Sequence, residues 1–215
     1  MRRALAFVVG HGERAPIGKP RQMDPGAAYD LDQDGEIEQG ETETALSRAV
    51  AWTSLVYLTA EAAPCLVCDV GTYSERVMQV AAFARAHESG DVIFLHCNAG
   101  LPPGMSRALT AHLTRSESGR HAAERLAECI DDYHIGDGDG TQIVAVGAGE
   151  QESWRRNMYN VLVPSWGLPS AWCGVLAEPF HVAGLYKSNR TVRASWIART
   201  VDALCDFALL EDNDR

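Results

Sequence analysis

Three short apolar runs along the chain each stop at a polar side chain suited to binding a metal or moving a proton. Leu5 to Val9 runs into Gly10-His11-Gly12-Glu13, Val92 to Leu95 into His96-Cys97-Asn98-Ala99-Gly100, and Trp172 to Ala177 into Glu178-Pro179. Apolar stretches of this length, closed by Gly, Asn or Pro, predict buried strands. Open α/β sheets keep their ligands where such strands end.

Between the runs the pattern changes period. Leu46, Val50, Leu55 and Leu58 predict a helix from about residue 43 to 60, and residues 64 to 70 a second strand. Ser74 is the expected cap of a helix through Val77, Val80, Ala81 and Ala84 that ends near Gly90. Residues 106 to 114 predict an edge strand, 119 to 130 a helix, 142 to 146 a short strand, 153 to 157 a helix or loop, and 191 to 210 a terminal helix. Residues 13 to 29, with Pro16, Gly18, Pro20, Pro25 and Gly26, predict a loop, and 131 to 140 a polar connector. Trp154, Tyr159, Trp166 and Trp172 are either core residues or the lining of a groove for an extended ligand. No repeat or linker splits the 215 residues. The expectation is one three-layer α/β domain over residues 1–215, a mixed, mostly parallel sheet flanked by helices.

Composition adds a localised charge. The formal net charge is −10, and most of it comes from Asp24, Asp30, Asp32, Asp34, Glu36, Glu38, Glu41 and Glu43, with no Lys or Arg among them. Such a balance argues against phosphate-backbone binding as the main activity, so no nucleic-acid partner is expected. Residues 30–41, Asp-Leu-Asp-Gln-Asp-Gly-Glu-Ile-Glu-Gln-Gly-Glu, fit the twelve-residue calcium loop. Asp30, Asp32, Asp34 and Glu41 would ligate through carboxylates and Glu36 through its backbone carbonyl, with Gly35 making the turn. The Pro/Gly-rich approach rules out the usual entering helix, so the loop is expected as an insertion followed by an exiting helix only.

The six cysteines sit mostly in apolar runs, and Cys65-Leu66-Val67-Cys68, without a second such pair, is expected to be core rather than a redox or zinc site. The basic start Met1-Arg2-Arg3 precedes an apolar run too short for a signal-peptide core, and no stretch is long enough to span a membrane. The expected product is made in the cytoplasm without an export signal, and no membrane insertion is expected.

Hydrolytic zinc sites need three protein ligands and an open position, and His2Glu is a common set. The His-Glu-x-x-His helix that supplies two of them locally is absent, so a zinc site here must be assembled from separated segments. The chain resembles the zinc-dependent N-acetylmuramoyl-L-alanine amidases of the Amidase_3 type. The likeness rests on Gly10-His11-Gly12 after the first strand, Glu43-Thr44-Ala45-Leu46 opening the first long helix, His96-Cys97-Asn98-Ala99, and Val175-Leu176-Ala177-Glu178-Pro179-Phe180. It keeps the family's motif order over nearly the whole chain. It departs at Val8-Val9, where the family carries Asp, at Asp69-Val70, where it carries Arg, and at Ala84-Arg85, where it carries Ala-Asn.

The resemblance implies an Amidase_3-like fold, zinc held by His11, Glu43 and His96, and Glu178 as the catalytic base and acid. It further implies peptidoglycan as partner and hydrolysis of the amide between N-acetylmuramic acid and L-alanine. His181 would be a substrate contact. Calcium in the acidic loop would fix the start of the helix that presents Glu43. Without wall-binding repeats, the setting implied is a phage endolysin released to the bacterial wall at lysis. Two other readings share these features: a zinc amidohydrolase or carboxypeptidase on small N-acyl amino acids or peptides, and an inactive, calcium-stabilised wall-binding module.

Overall fold

The computed structural model describes residues 3–14, 22–24, 26, 42–97, 108–133, 144–149, 153–179 and 190–210. The main sheet is built from β1 (Ala4–Val9), β4 (Cys65–Cys68), β5 (Gly90–Leu95), β6 (Leu109–Leu113), β7 (Val144–Ala148) and β8 (Trp172–Glu178), and β2 (Gly12–Arg14) pairs with β3 (Gln22–Asp24). Among the described residues the α-helices are α1 (Glu43–Ala60), α2 (Tyr73–Arg85), α3 (Glu117–Asp132), α4 (Ser153–Leu162) and α5 (Arg190–Leu209). The six strands lie in the order β4-β1-β5-β8-β6-β7. The first four run parallel, β6 is antiparallel to β8, and β7 is parallel to β6.

Two apolar layers follow from strand alternation. Leu5, Phe7, Val9, Ile93, Leu95, Val175 and Ala177 face one side and pack against Leu46, Val50 and Leu58 of α1, Leu126 and Ile130 of α3, and Leu204 and Phe207 of α5. Ala6, Val8, Val92, Phe94 and Leu176 face the other and meet Val80 and Ala84 of α2 and Met158 and Leu162 of α4. All six residues of β1 are buried. Each large side chain so buried contributes about 1.5–3 kcal/mol. The three central strands are thus fixed from both faces, and their C-terminal ends are presented by a rigid scaffold. Among the described residues no helix is long and apolar enough to cross a membrane.

The helix of residues 43–60 forms as expected because Thr42 caps it, its hydroxyl accepting from the Ala45 N–H at 3.2 Å. The next helix is capped by Thr72 rather than Ser74. Glu75 reaches back to the Thr72 N–H at 2.7 Å and closes a capping box, and the helix stops at Arg85, leaving Gly90 to open β5. The strand expected at 106–114 spans Leu109–Leu113 and is internal, since β7 lies outside it. Its polar positions resemble an exposed face, but both are buried. Thr110 donates to the Ala123 carbonyl of α3 at 2.7 Å, and His112 Nδ1 lies 3.0 Å from the Leu113 carbonyl. The β2–β3 pair falls in the expected loop; three-residue strands are too short for periodicity to reveal.

Cys65 and Cys68 are free thiols that face opposite layers, and burial pushes each up to about 12. Trp172 is core, its ring edge to face with Phe83 at a centroid separation of 5.9 Å and its indole N–H donating to the His87 carbonyl at 3.2 Å. Tyr159 and Trp166 meet edge to face at 5.8 Å, while the side chain of Trp154 lies outside the described residues.

Candidate active site

Four segments deliver chemistry to the C-terminal edge of the parallel strands. β1 ends at Val9, and the Gly10 N–H still donates to the Leu95 carbonyl at 2.7 Å, so the chain stays against β5 before it turns at His11. His11 adopts φ 58°, a left-handed conformation uncommon outside glycine. β5 ends one residue before His96, whose N–H donates to the Ala177 carbonyl of β8 at 3.0 Å. Glu43 is the first residue of α1, where the helix dipole favours a carboxylate.

These placements bring three donors to one point. His11 Nε2 lies 3.3 Å from Glu43 Oε2, and His96 Nδ1 lies 3.1 Å from Glu43 Oε1. All three ligand atoms lie within 4.8 Å of one another, and the two rings meet edge to face with centroids 5.0 Å apart. Ligands held about 2.0–2.2 Å from a tetrahedral zinc are roughly 3.3 Å apart, so both His–Glu separations fit a metal of that kind. Exposure fits as well: Glu43 is 3% exposed whereas His11 and His96 are 26% and 15% exposed, which leaves one side of the group open. A divalent ion here would be held by His11, Glu43 and His96.

Glu43 is fixed by more than the imidazoles. The backbone N–H of Cys97 donates to its Oε1 at 2.8 Å. Burial works against its ionisation, but the hydrogen bonds and charges of His11 and His96 outweigh that and hold the carboxyl well below the usual range. Glu178 ends β8, paired with Leu109 of β6, and its neighbour Ala177 accepts the His96 N–H. Burial first, and then the Glu43 charge, push Glu178 up to about 7, with His11 opposing. A carboxyl near 7 holds and releases a proton with equal ease at neutral pH.

Two glycines make the group possible. A Cβ on Gly10 would stand 2.6 Å from the His96 ring. One on Gly26, at φ +71°, would stand 2.6 Å from His11 Cδ2 and 2.7 Å from Glu43 Oε2. Gly26→Ala is therefore expected to weaken divalent-metal binding by at least about tenfold, the scale seen when groups supporting ligands are disturbed. A competition titration with a chromophoric chelator reads it; unchanged affinity would show that the backbone at 26 does not bear on the ligands.

The sequence pattern missed Gly26, which looked like Pro-Gly loop punctuation, and Arg76, a cation on the stripe shared with Val80 and Ala84. The expected calcium ligands Asp30, Asp32, Asp34, Glu36 and Glu41 lie outside the described residues, as do Asn98, Ala99 and His181.

No family model matches the chain, and no curated protein matches its sequence. Solved structures do match. The catalytic domain of CwlV, an N-acetylmuramoyl-L-alanine amidase from Bacillus (Paenibacillus) polymyxa var. colistinus, superposes with a TM-score of 0.60 at 11% identity, covering 97% of this chain and 99% of that one. The fold is that of the N-acetylmuramoyl-L-alanine amidases. An amidase from Clostridium difficile gives 0.62 at 13% identity, with 96% and 97% covered. The apo amidase Ami1 of Mycobacterium abscessus gives 0.60 at 12% identity, with 95% and 98% covered. These amidase structures span the chain nearly end to end, so its sheet order and helices form one architecture with theirs.

Proposed function

We propose that the protein is a zinc-dependent N-acetylmuramoyl-L-alanine amidase that hydrolyses the amide between the lactyl group of N-acetylmuramic acid and L-alanine in peptidoglycan. The observation that carries this reading is the meeting of His11, Glu43 and His96 at the strand ends of an amidase fold, with Glu178 on the next strand. The donor set is that of hydrolytic zinc, two imidazoles and one carboxylate with an open side. Bound there, zinc would polarise the scissile carbonyl and make water acidic near neutral pH.

The chain's own residues have distinct tasks in this reading. Glu43, ionised and clamped by the Cys97 N–H, keeps both imidazoles oriented. Glu178, ionised at the start, accepts a proton from the attacking water. It returns that proton to the alanine nitrogen as the carbon–nitrogen bond breaks, leaving a free amine and a lactyl carboxylic acid, which then gives up the water's second proton to the amine or to solvent. Its position near neutrality suits both transfers, since an ordinary carboxyl is too weak a base for the first. Calcium in residues 30–41 is part of the proposal: that stretch ends immediately before Thr42, the cap of the helix that delivers Glu43.

The reading is tested by digesting purified peptidoglycan and identifying the ends produced. New L-alanine amino termini without new reducing sugars are expected. Reducing ends, or amino termini from within the stem peptide, would assign the protein to another bond. Turnover confined to soluble N-acyl amino acids would make it a small-substrate hydrolase.

A further inference from the structure

Arg76 is the largest of the fully buried side chains, 1% exposed, and the proposed chemistry makes no use of it. It lies on the α2 stripe that packs against the sheet beside Val80 and Ala84. A buried guanidinium ordinarily has a carboxylate beside it. Among the described residues Arg76 makes no ion pair; the nearby Asp69 is engaged by Arg48 Nε at 3.3 Å and the Trp52 indole N–H at 3.0 Å. The Arg76 cation instead stacks over the Tyr73 ring, 5.8 Å from its centroid, and Nη1 donates to the Val9 carbonyl, while Nε has no hydrogen-bond partner among the described residues.

That carbonyl has a particular need. Pairing between β1 and β4 ends at Val8 and Cys68, whereas pairing with β5 continues through Val9 and Leu95. Because the Gly10 N–H turns toward β5, alternation along the strand turns the Val9 carbonyl toward the β4 side, past the last residue that could pair with it. A buried carbonyl without a donor is costly, and the chain supplies a donor from α2. Two residues on stands His11 at φ 58°, a conformation that persists only where the surroundings enforce it.

We propose that Arg76 is a positioning residue of the metal centre: by clamping the Val9 carbonyl it fixes the turn that presents His11. This rests on reading His11, Glu43 and His96 as a metal site. An apolar side chain would fill the same space without a buried charge. What it would lose is the clamp.

The test compares zinc affinity, by chelator competition, and metal-free melting temperature in wild type, Arg76→Lys, Arg76→Met and His11→Ala. Arg76→Met is expected to bind zinc about 10–100-fold more weakly, the range for groups that orient ligands, and Arg76→Lys to fall between it and wild type. The cobalt-substituted visible spectrum should shift in both variants, since the geometry at His11 changes. A packing role alone would lower the melting temperature and leave the affinity of the folded protein unaltered. Wild-type affinity in Arg76→Met, or in Arg76→Lys should the former not fold, would overturn the proposal. Equal affinity in wild type and His11→Ala would overturn the metal-site reading itself.

Discussion

Glu178→Gln is expected to lower amidase turnover by about 10²–10⁴-fold while zinc stays bound, because glutamine keeps the shape and loses only the proton transfer. The same substitution has a second consequence that does not depend on turnover. The fold raises Glu178 from 4.5 to about 7, so it favours the neutral acid. A group raised in this way contributes stability that is fully present below 4.5 and lost as pH rises through about 7, because above that value the carboxylate is ionised in a half-buried place near Glu43. Across the interval from 4.5 to about 7 the linkage amounts to roughly 3 kcal/mol. Metal-free Glu178→Gln, which cannot ionise, should therefore melt higher than metal-free wild type at pH 8.5, with the gap narrowing toward pH 5. Melting curves across that range check it. A gap that does not change with pH would mean that Glu178 is not desolvated near Glu43, and near-normal turnover would remove it from the mechanism.

Removing Glu43 is expected to be as severe by a different route. Glu43→Ala deletes the central donor, so zinc affinity should fall further than the roughly 10–100-fold typical of outer partners, and turnover with it. It also leaves the buried Cys97 N–H without its acceptor, a loss of about 1–3 kcal/mol in the metal-free protein. Glu43→Gln separates the two effects: its amide oxygen can still accept from Cys97, so stability should return while tight zinc binding does not. The pH dependence has the opposite sign from that of Glu178. Glu43 is held below its ordinary 4.5, so its stabilisation is present above that value and lost as pH falls below it. Wild type should thus lose stability in acid more steeply than Glu43→Ala. Isothermal zinc titrations and acid melting series read both parts; full zinc affinity in Glu43→Ala would exclude the carboxylate as a ligand.

The central strands were legible because burial on both faces leaves unbroken apolar runs. Leu5 to Val9, Val92 to Leu95 and Trp172 to Ala177 lie within β1, β5 and β8. The residues that follow β1 and β5 could be singled out for the same reason: His11 and His96 interrupt hydrophobic patterns at the point where strands end. Glu43 was legible as a helix opener, but a helix opener is usually only a dipole partner, and its bond to Cys97 joins residues 54 apart. No local pattern carries that. The internal position of β6 was hidden by Thr110 and His112, polar residues that read as an exposed face but are buried with their polar atoms beside the Ala123 and Leu113 carbonyls. Gly26 and Arg76 were illegible for a related reason. What each does is set by a partner reached through the fold, the His11 ring for one and the Val9 carbonyl for the other.

Whether this site performs metal-dependent hydrolysis is answered most directly by amine release from purified peptidoglycan. Metal-stripped protein is compared with the same protein given back one equivalent of zinc. Negligible release from the stripped sample and restored release of L-alanine amino termini after zinc are expected. A folded, zinc-loaded protein that releases none, or a stripped protein equally active, would contradict the assignment of His11, Glu43 and His96 to a catalytic zinc centre.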